Sequence, residues 1–147
     1  MSLQQWLENS WLIEAERSAQ EIANRLRIAD RELADASLEG LSPDGRFEHA
    51  YAAVRTLCQV ALHAAGYTVP KGQRQHERSI ESLKLTLGGP WTEHADYFDV
   101  CRRQRHQSMY EKCGVTQSKD ADELLETARE LRGAVQEWLQ RNHADLL

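Results

Sequence analysis

The chain has 147 residues, 41% apolar and 28% charged, with 18 Lys and Arg against 23 Asp and Glu. That length suits one domain with a core of its own, and the composition is that of a globular chain. No apolar run approaches the roughly 18 residues a membrane-spanning helix needs, and the acidic total excludes a nucleic-acid binder working by bulk positive charge.

Helical periodicity runs from end to end, and no segment has a convincing strand pattern. Leu3, Trp6 and Leu7 form a short amphipathic lead-in within residues 1–17. In SAQEIANRLRIADRELADA, Ser18 is an N-cap and Glu21 completes a capping box. Ala19, Ile22, Leu26, Ala29 and Leu33 then make one apolar stripe, and the helix could reach back to Trp11. DASLEGLSPDG ends it, with Ser42 and Pro43 as cap and first residue of the next helix. FEHAYAAVRTLCQVALHAAG is apolar nearly all round, as expected of a central helix or of one partly buried in a dimer. Gly66 is its natural stop. After the polar connection YTVPKGQRQH, ERSIESLKLTL puts Ile80, Leu83 and Leu87 on one face. A fourth helix begins near Thr92 and runs toward Tyr110. ADELLETARELRGAVQEWLQ aligns Ala121, Leu124, Leu125, Ala128, Leu131, Val135 and Trp138. The expectation is an all-α, up-and-down bundle of four to five helices in a single domain, 1–147. The apolar perimeter of the 51–65 helix further predicts a homodimer.

The N-terminus has no basic n-region and no unbroken apolar core, so no signal peptide is expected. Cys58, Cys101 and Cys113 are odd in number and widely spaced, which points to reduced thiols and a cytoplasmic location. Neither these cysteines nor the six histidines show the short spacing of a zinc site, so no metal is expected. KGQ and LGGP lack the pattern of a phosphate loop, and no cofactor is expected. Cys58, within an apolar helix, reads as core rather than nucleophile.

Charge is unevenly placed. Residues 1–50 hold 5 basic and 10 acidic side chains, whereas 71–112 hold 8 and 6. The basic residues concentrate in DYFDVCRRQRHQSMYEK. On a helix, Arg102, Arg105, His106 and Met109 share a face, and Arg103 and Tyr110 share another. Guanidinium forks bind phosphate oxygens in pairs, and imidazole moves a proton near pH 7. Asp99, three before Arg102 and four before Arg103, offers the plainer explanation of a helical salt bridge. QRQHER, with Arg74, His76 and Arg78, could be a second phosphate contact brought near by folding.

Taken together, DRELADASLEGLSPDGRFEHAYAAVRTLCQVALHAAGYTV, QRQHERSIESL and FDVCRRQRHQSMYEK resemble the HEPN superfamily. The resemblance spans residues 18–139 and is narrower to prokaryotic stand-alone members with an AYxA helix, an AGY ending and an RRxR…Y segment. It implies a dimeric bundle whose arginine motifs meet in a shared cleft. Many members are metal-independent endoribonucleases of toxin–antitoxin and phage-defence systems, often partnered with a nucleotidyltransferase. Their motif is Arg, a polar residue, then His after four to six intervening residues. Arg105 matches the arginine and His106 the polar position, while Tyr110 stands where the shortest spacing would put the histidine. Tyrosine, with a reference pKa of about 10, is a poor base at neutral pH. The expected function is binding of RNA or nucleotide phosphate by Arg102, Arg103 and Arg105, with His106 and Tyr110 orienting it and Arg74 and Arg78 adding contacts. The alternatives are an endoribonuclease toxin using Arg105 with His106, and a non-catalytic partner of a nucleotidyltransferase or antitoxin.

Overall fold

The computed structural model describes all residues, 1–147, and is built mainly of helix. In order come α1 (Leu3–Glu8), β1 (Ile13–Glu14), α2 (Ala19–Asp35), α3 (Pro43–Ala64) and β2 (Tyr67–Thr68). They are followed by α4 (Gln75–Glu81), α5 (Leu83–Thr86), α6 (Trp91–Tyr110) and α7 (Ser118–Asn142), with a last 3₁₀ turn at Ala144–Leu146. No helix is long and apolar enough to cross a membrane.

α3 is the central helix. Ser42 caps it by accepting from the Gly45 N–H, and Pro43 opens its first turn. Its apolar side chains are buried around most of the helix, from Phe47 through Tyr51, Val54, Leu57 and Cys58 to Leu62, and the half-buried line Asp44, Glu48, Ala52, Arg55 and Gln59 is mostly polar. α2, α6 and α7 supply most of the cover, α2 through Ile22, Leu26, Ala29 and Leu33 and α7 through Leu124, Leu131, Val135 and Leu139. Trp6, Leu12 and Val69 close over Leu62 at the far end. The uncovered apolar perimeter expected of residues 51–65 therefore does not arise, and it gives no reason for a dimer.

The N-terminal segment departs from the expected pattern. Only Leu3–Glu8 is helical, and α2 does not reach back to Trp11. The intervening chain is extended, with Ile13 opposite Thr68 and Glu14 opposite Tyr67 in a two-residue antiparallel pairing. Backbone groups at the end of α3 decide this. Ala15 N–H donates to the Gly66 carbonyl at 2.9 Å, and Arg17 Nε donates to the Ala64 carbonyl at 2.7 Å. Gly66, at φ +95°, turns the chain out of α3 into this pairing. Ser18 caps α2 as expected, accepting from Glu21 N–H, but the Glu21 carboxylate turns to Arg25 instead of closing a capping box.

The single helix expected over ERSIESLKLTL is two. The buried hydroxyls of Ser79 and Ser82 take up backbone carbonyls, Ser82 donating to Ser79 at 2.6 Å. Serine competing for the backbone in this way breaks the run at Ser82.

Candidate functional site

α6 is held to the core by Ala95, Phe98 and Cys101, each buried. Its end is fixed by the turn that follows, where the Asp44 carboxylate accepts from Gly114 N–H at 2.7 Å and Thr116 N–H at 3.1 Å. Those hydrogen bonds, the Gly114 one above all, hold the Asp44 carboxyl below its ordinary range.

With α6 so placed, Arg105 points back at α3. Its fork meets Glu48 with both arms, Nε to Oε2 at 2.5 Å and Nη2 to Oε1 at 3.0 Å. Both side chains are largely withdrawn from water, at 15% and 23% exposure. The pairing with Glu48 raises the Arg105 pKa above its ordinary value. Arg105 also lies over the rings of Tyr51, at 5.6 Å, and Tyr110, at 5.7 Å. Tyr51 is fully buried and its hydroxyl has no hydrogen-bond partner. Burial pushes its pKa up to about 12, against the opposing pull of Arg55, Arg105 and Arg102.

α4 brings His76 to the same place. Arg55 Nη1 lies 3.3 Å from His76 Nε2. A guanidinium can only donate, so Nε2 accepts and the ring proton belongs on Nδ1. Burial, then Arg55, Arg105 and Arg102, pull the His76 pKa down to about 4, with Glu48 opposing. His76 is therefore neutral at pH 7 and becomes easier to protonate if an anion arrives.

These groups enclose a pocket of about 190 Å³ lined by Gly72, Gln73, Gln75, His76, Arg102, Arg105 and His106. Every lining side chain is neutral or basic and none is apolar. Arg102, 27% exposed, donates to Asp99 at 2.9 Å, and Arg103 reaches the other oxygen of Asp99 at 3.7 Å. The helical salt bridge read from the spacing is thus real, and Arg102 lines the pocket as well. Arg103 instead lines an open groove of about 630 Å³ on the other side of α6, beside Val100, Gln107 and Val115. His106, 60% exposed, borders both spaces, with its ring 5.0 Å from Tyr110. Tyr110 stands 66% exposed, in contact with Arg105 and His106 but outside the pocket lining.

Arg74 and Arg78 lie elsewhere. Positions two apart from His76 on α4 project to other faces. Arg74 pairs with Glu77, and Arg78 lies over Trp11 at 5.0 Å in a separate pocket with Trp6, Glu81 and Asp99. Of QRQHER, Gln73, Gln75 and His76 join the α6 arginines, and neither arginine does.

Glu48, Tyr51 and Arg55 escaped the sequence reading. Their signal was available: Asp44, Glu48, Tyr51 and Arg55, spaced four, three and four, line one face of the mainly apolar α3. Cys58 and Cys101 are buried, which pushes each thiol up to about 12 and leaves neither suited to nucleophilic work. Compared with known proteins, the chain matches no family model, no curated protein and no solved structure.

Proposed function

We propose that this pocket binds a phosphodiester or nucleotide phosphate, and that the chain is a HEPN-type RNA- or nucleotide-binding protein acting as a homodimer. The observation that carries this reading is the lining itself. In a protein of net charge −5, helices α4 and α6 converge on one small polar pocket that admits no acidic side chain. Arg102 and Arg105 supply charge, His76 and the glutamines supply neutral donors, and Arg55 stands behind His76. Glu48 and Asp99 already neutralise part of that charge, so affinity should be modest and selective for a ligand able to use the neutral donors.

The endoribonuclease reading is favoured by one specific observation: His106 borders the pocket that holds Arg102 and Arg105 without any distortion of α6. A base there would contribute roughly 10² to 10⁴ in rate. It would register as cleavage in EDTA that disappears in His106→Ala.

Binding is tested by salt dependence with a single-stranded RNA oligonucleotide. Each phosphate contact on a single strand adds about 0.7 to the log–log slope, so Arg102→Gln should flatten it by about 0.7, whereas Arg103→Gln, outside the pocket, should leave it unchanged. The substitutions leave the Arg105–Glu48 pair untouched, and both variants should fold. An unchanged slope in folded Arg102→Gln would return Arg102 to the role of a partner for Asp99.

A further inference from the structure

A second cluster lies at the junction of α2 and α3, away from the arginine pocket. Glu32 and Asp35, three apart on the last turn of α2, meet His49 on α3. One ligand atom from each lies within 4.8 Å of the others. His49 Nδ1 is 2.7 Å from Glu32 Oε2, and the Glu32 side chain is only 15% exposed. The balance of charge here is unfavourable. Two carboxylates sit together, and the one guanidinium that pairs with either, from Arg31, touches the outer side of Glu32 at 3.3 Å and is mostly solvated. Asp35 takes part in no ion pair and no side-chain hydrogen bond. The position is unfavourable as well. The last turn of a helix carries partial negative charge and favours cations, yet the last turn of α2 has no basic residue of its own and ends on Asp35, and only Arg46 of α3, donating to the Ala36 carbonyl at 3.2 Å, offsets part of this. Both features are relieved by one ligand, a bound cation.

We propose that Glu32, Asp35 and His49 bind a divalent transition-metal ion of the zinc class. An imidazole nitrogen with two carboxylates suits zinc, with bonds of roughly 2.0–2.2 Å and a fourth, open position for water. The metal takes the place of the proton between His49 and Glu32. With bonds near 2.1 Å, ligand atoms around a tetrahedral ion lie about 3.4 Å apart, which side-chain rotation reaches from the present arrangement. Magnesium and calcium demand more oxygen ligands and do not select a nitrogen. The ion would clip the end of α2 to the start of α3 across residues 36–42. No short-spacing search finds this site, because Glu32 and His49 are separated by 17 residues.

The experiment is zinc titration of chelator-treated protein, followed by calorimetry and thermal unfolding. Wild type should bind one equivalent and, at zinc a hundredfold above its Kd, rise by about 5–10 °C in Tm. Asp35→Asn has no partner to lose and removes one of two crowded carboxylates, so its Tm should equal or slightly exceed that of metal-free wild type, and it should lack the zinc-dependent rise. His49→Gln should lose it too. Three results overturn the proposal: no binding by wild type, an undiminished rise in Asp35→Asn and His49→Gln, or magnesium matching zinc. The second would place the zinc on other histidines or on the exposed Cys113.

Discussion

Arg105→Ala is expected to destabilise the fold by about 2–4 kcal/mol, somewhat below the range for breaking a fully buried ion pair. The reason is what it leaves behind. Glu48 is 23% exposed and has no other cationic partner, so truncating Arg105 strands a carboxylate against the Tyr51 ring and the body of α3. It also removes the packing of the guanidinium over two tyrosine rings. Urea unfolding of wild type and variant gives the number, provided the slope with denaturant is unchanged. Glu48→Gln/Arg105→Gln should recover most of the loss, because neither partner is then left charged and alone. A loss under about 0.5 kcal/mol would mean that the pair behaves like an exposed surface bridge. Arg105 is therefore part of the fold and of the pocket together, and its removal cannot report on binding alone.

Tyr51→Phe is expected to act in the opposite direction, stabilising the protein by about 1–2 kcal/mol. A buried hydroxyl without a partner carries an uncompensated desolvation cost of about 1–3 kcal/mol, which deletion relieves. Tyr51 has such a hydroxyl, and the phenyl ring that remains still serves Arg105, Arg55 and His76. Because the hydroxyl is closed off from solvent, oligonucleotide affinity should be unchanged. Thermal unfolding with an RNA-binding assay on the same preparation checks both halves. A destabilised variant would show that the hydroxyl has a partner in solution.

The helices were legible because their signals are local. The Ser42–Pro43 cap, the Gly66 stop and the stripes of α2 and α7 act within a few residues, and each appears where periodicity put it. What went wrong depended on distant groups. Residues 13–14 are extended because α3 ends beside them, and the 77–87 run breaks because buried serines find carbonyls to bond. The site divides in the same way. The Asp99–Arg102 bridge is a helical spacing and was visible, whereas Arg105–Glu48 spans 57 residues and was not. Arg74 and Arg78 share a loop word with His76, yet α4 turns them to another pocket. The apolar perimeter of α3 was read correctly as a central helix, but its cover is the chain itself.

The most direct test of the phosphate pocket is the titration of the His76 ring, followed by NMR with and without a single-stranded RNA oligonucleotide. A phosphodiester keeps its own charge across this range, so the imidazole is what titrates. In the free protein the His76 midpoint should lie at about 4, well below the ordinary value of 6.5. A histidine depressed in this way favours the folded state fully above the unfolded pKa, and that contribution is lost as pH falls from about 6.5 through about 4. RNA bound beside Arg102 and Arg105 should raise the midpoint toward its ordinary value, and by linkage binding should tighten as pH falls below 6.5. His143, which lies outside the pocket lining, should keep its midpoint. An unmoved His76 midpoint at saturating RNA would contradict the pocket as the phosphate site.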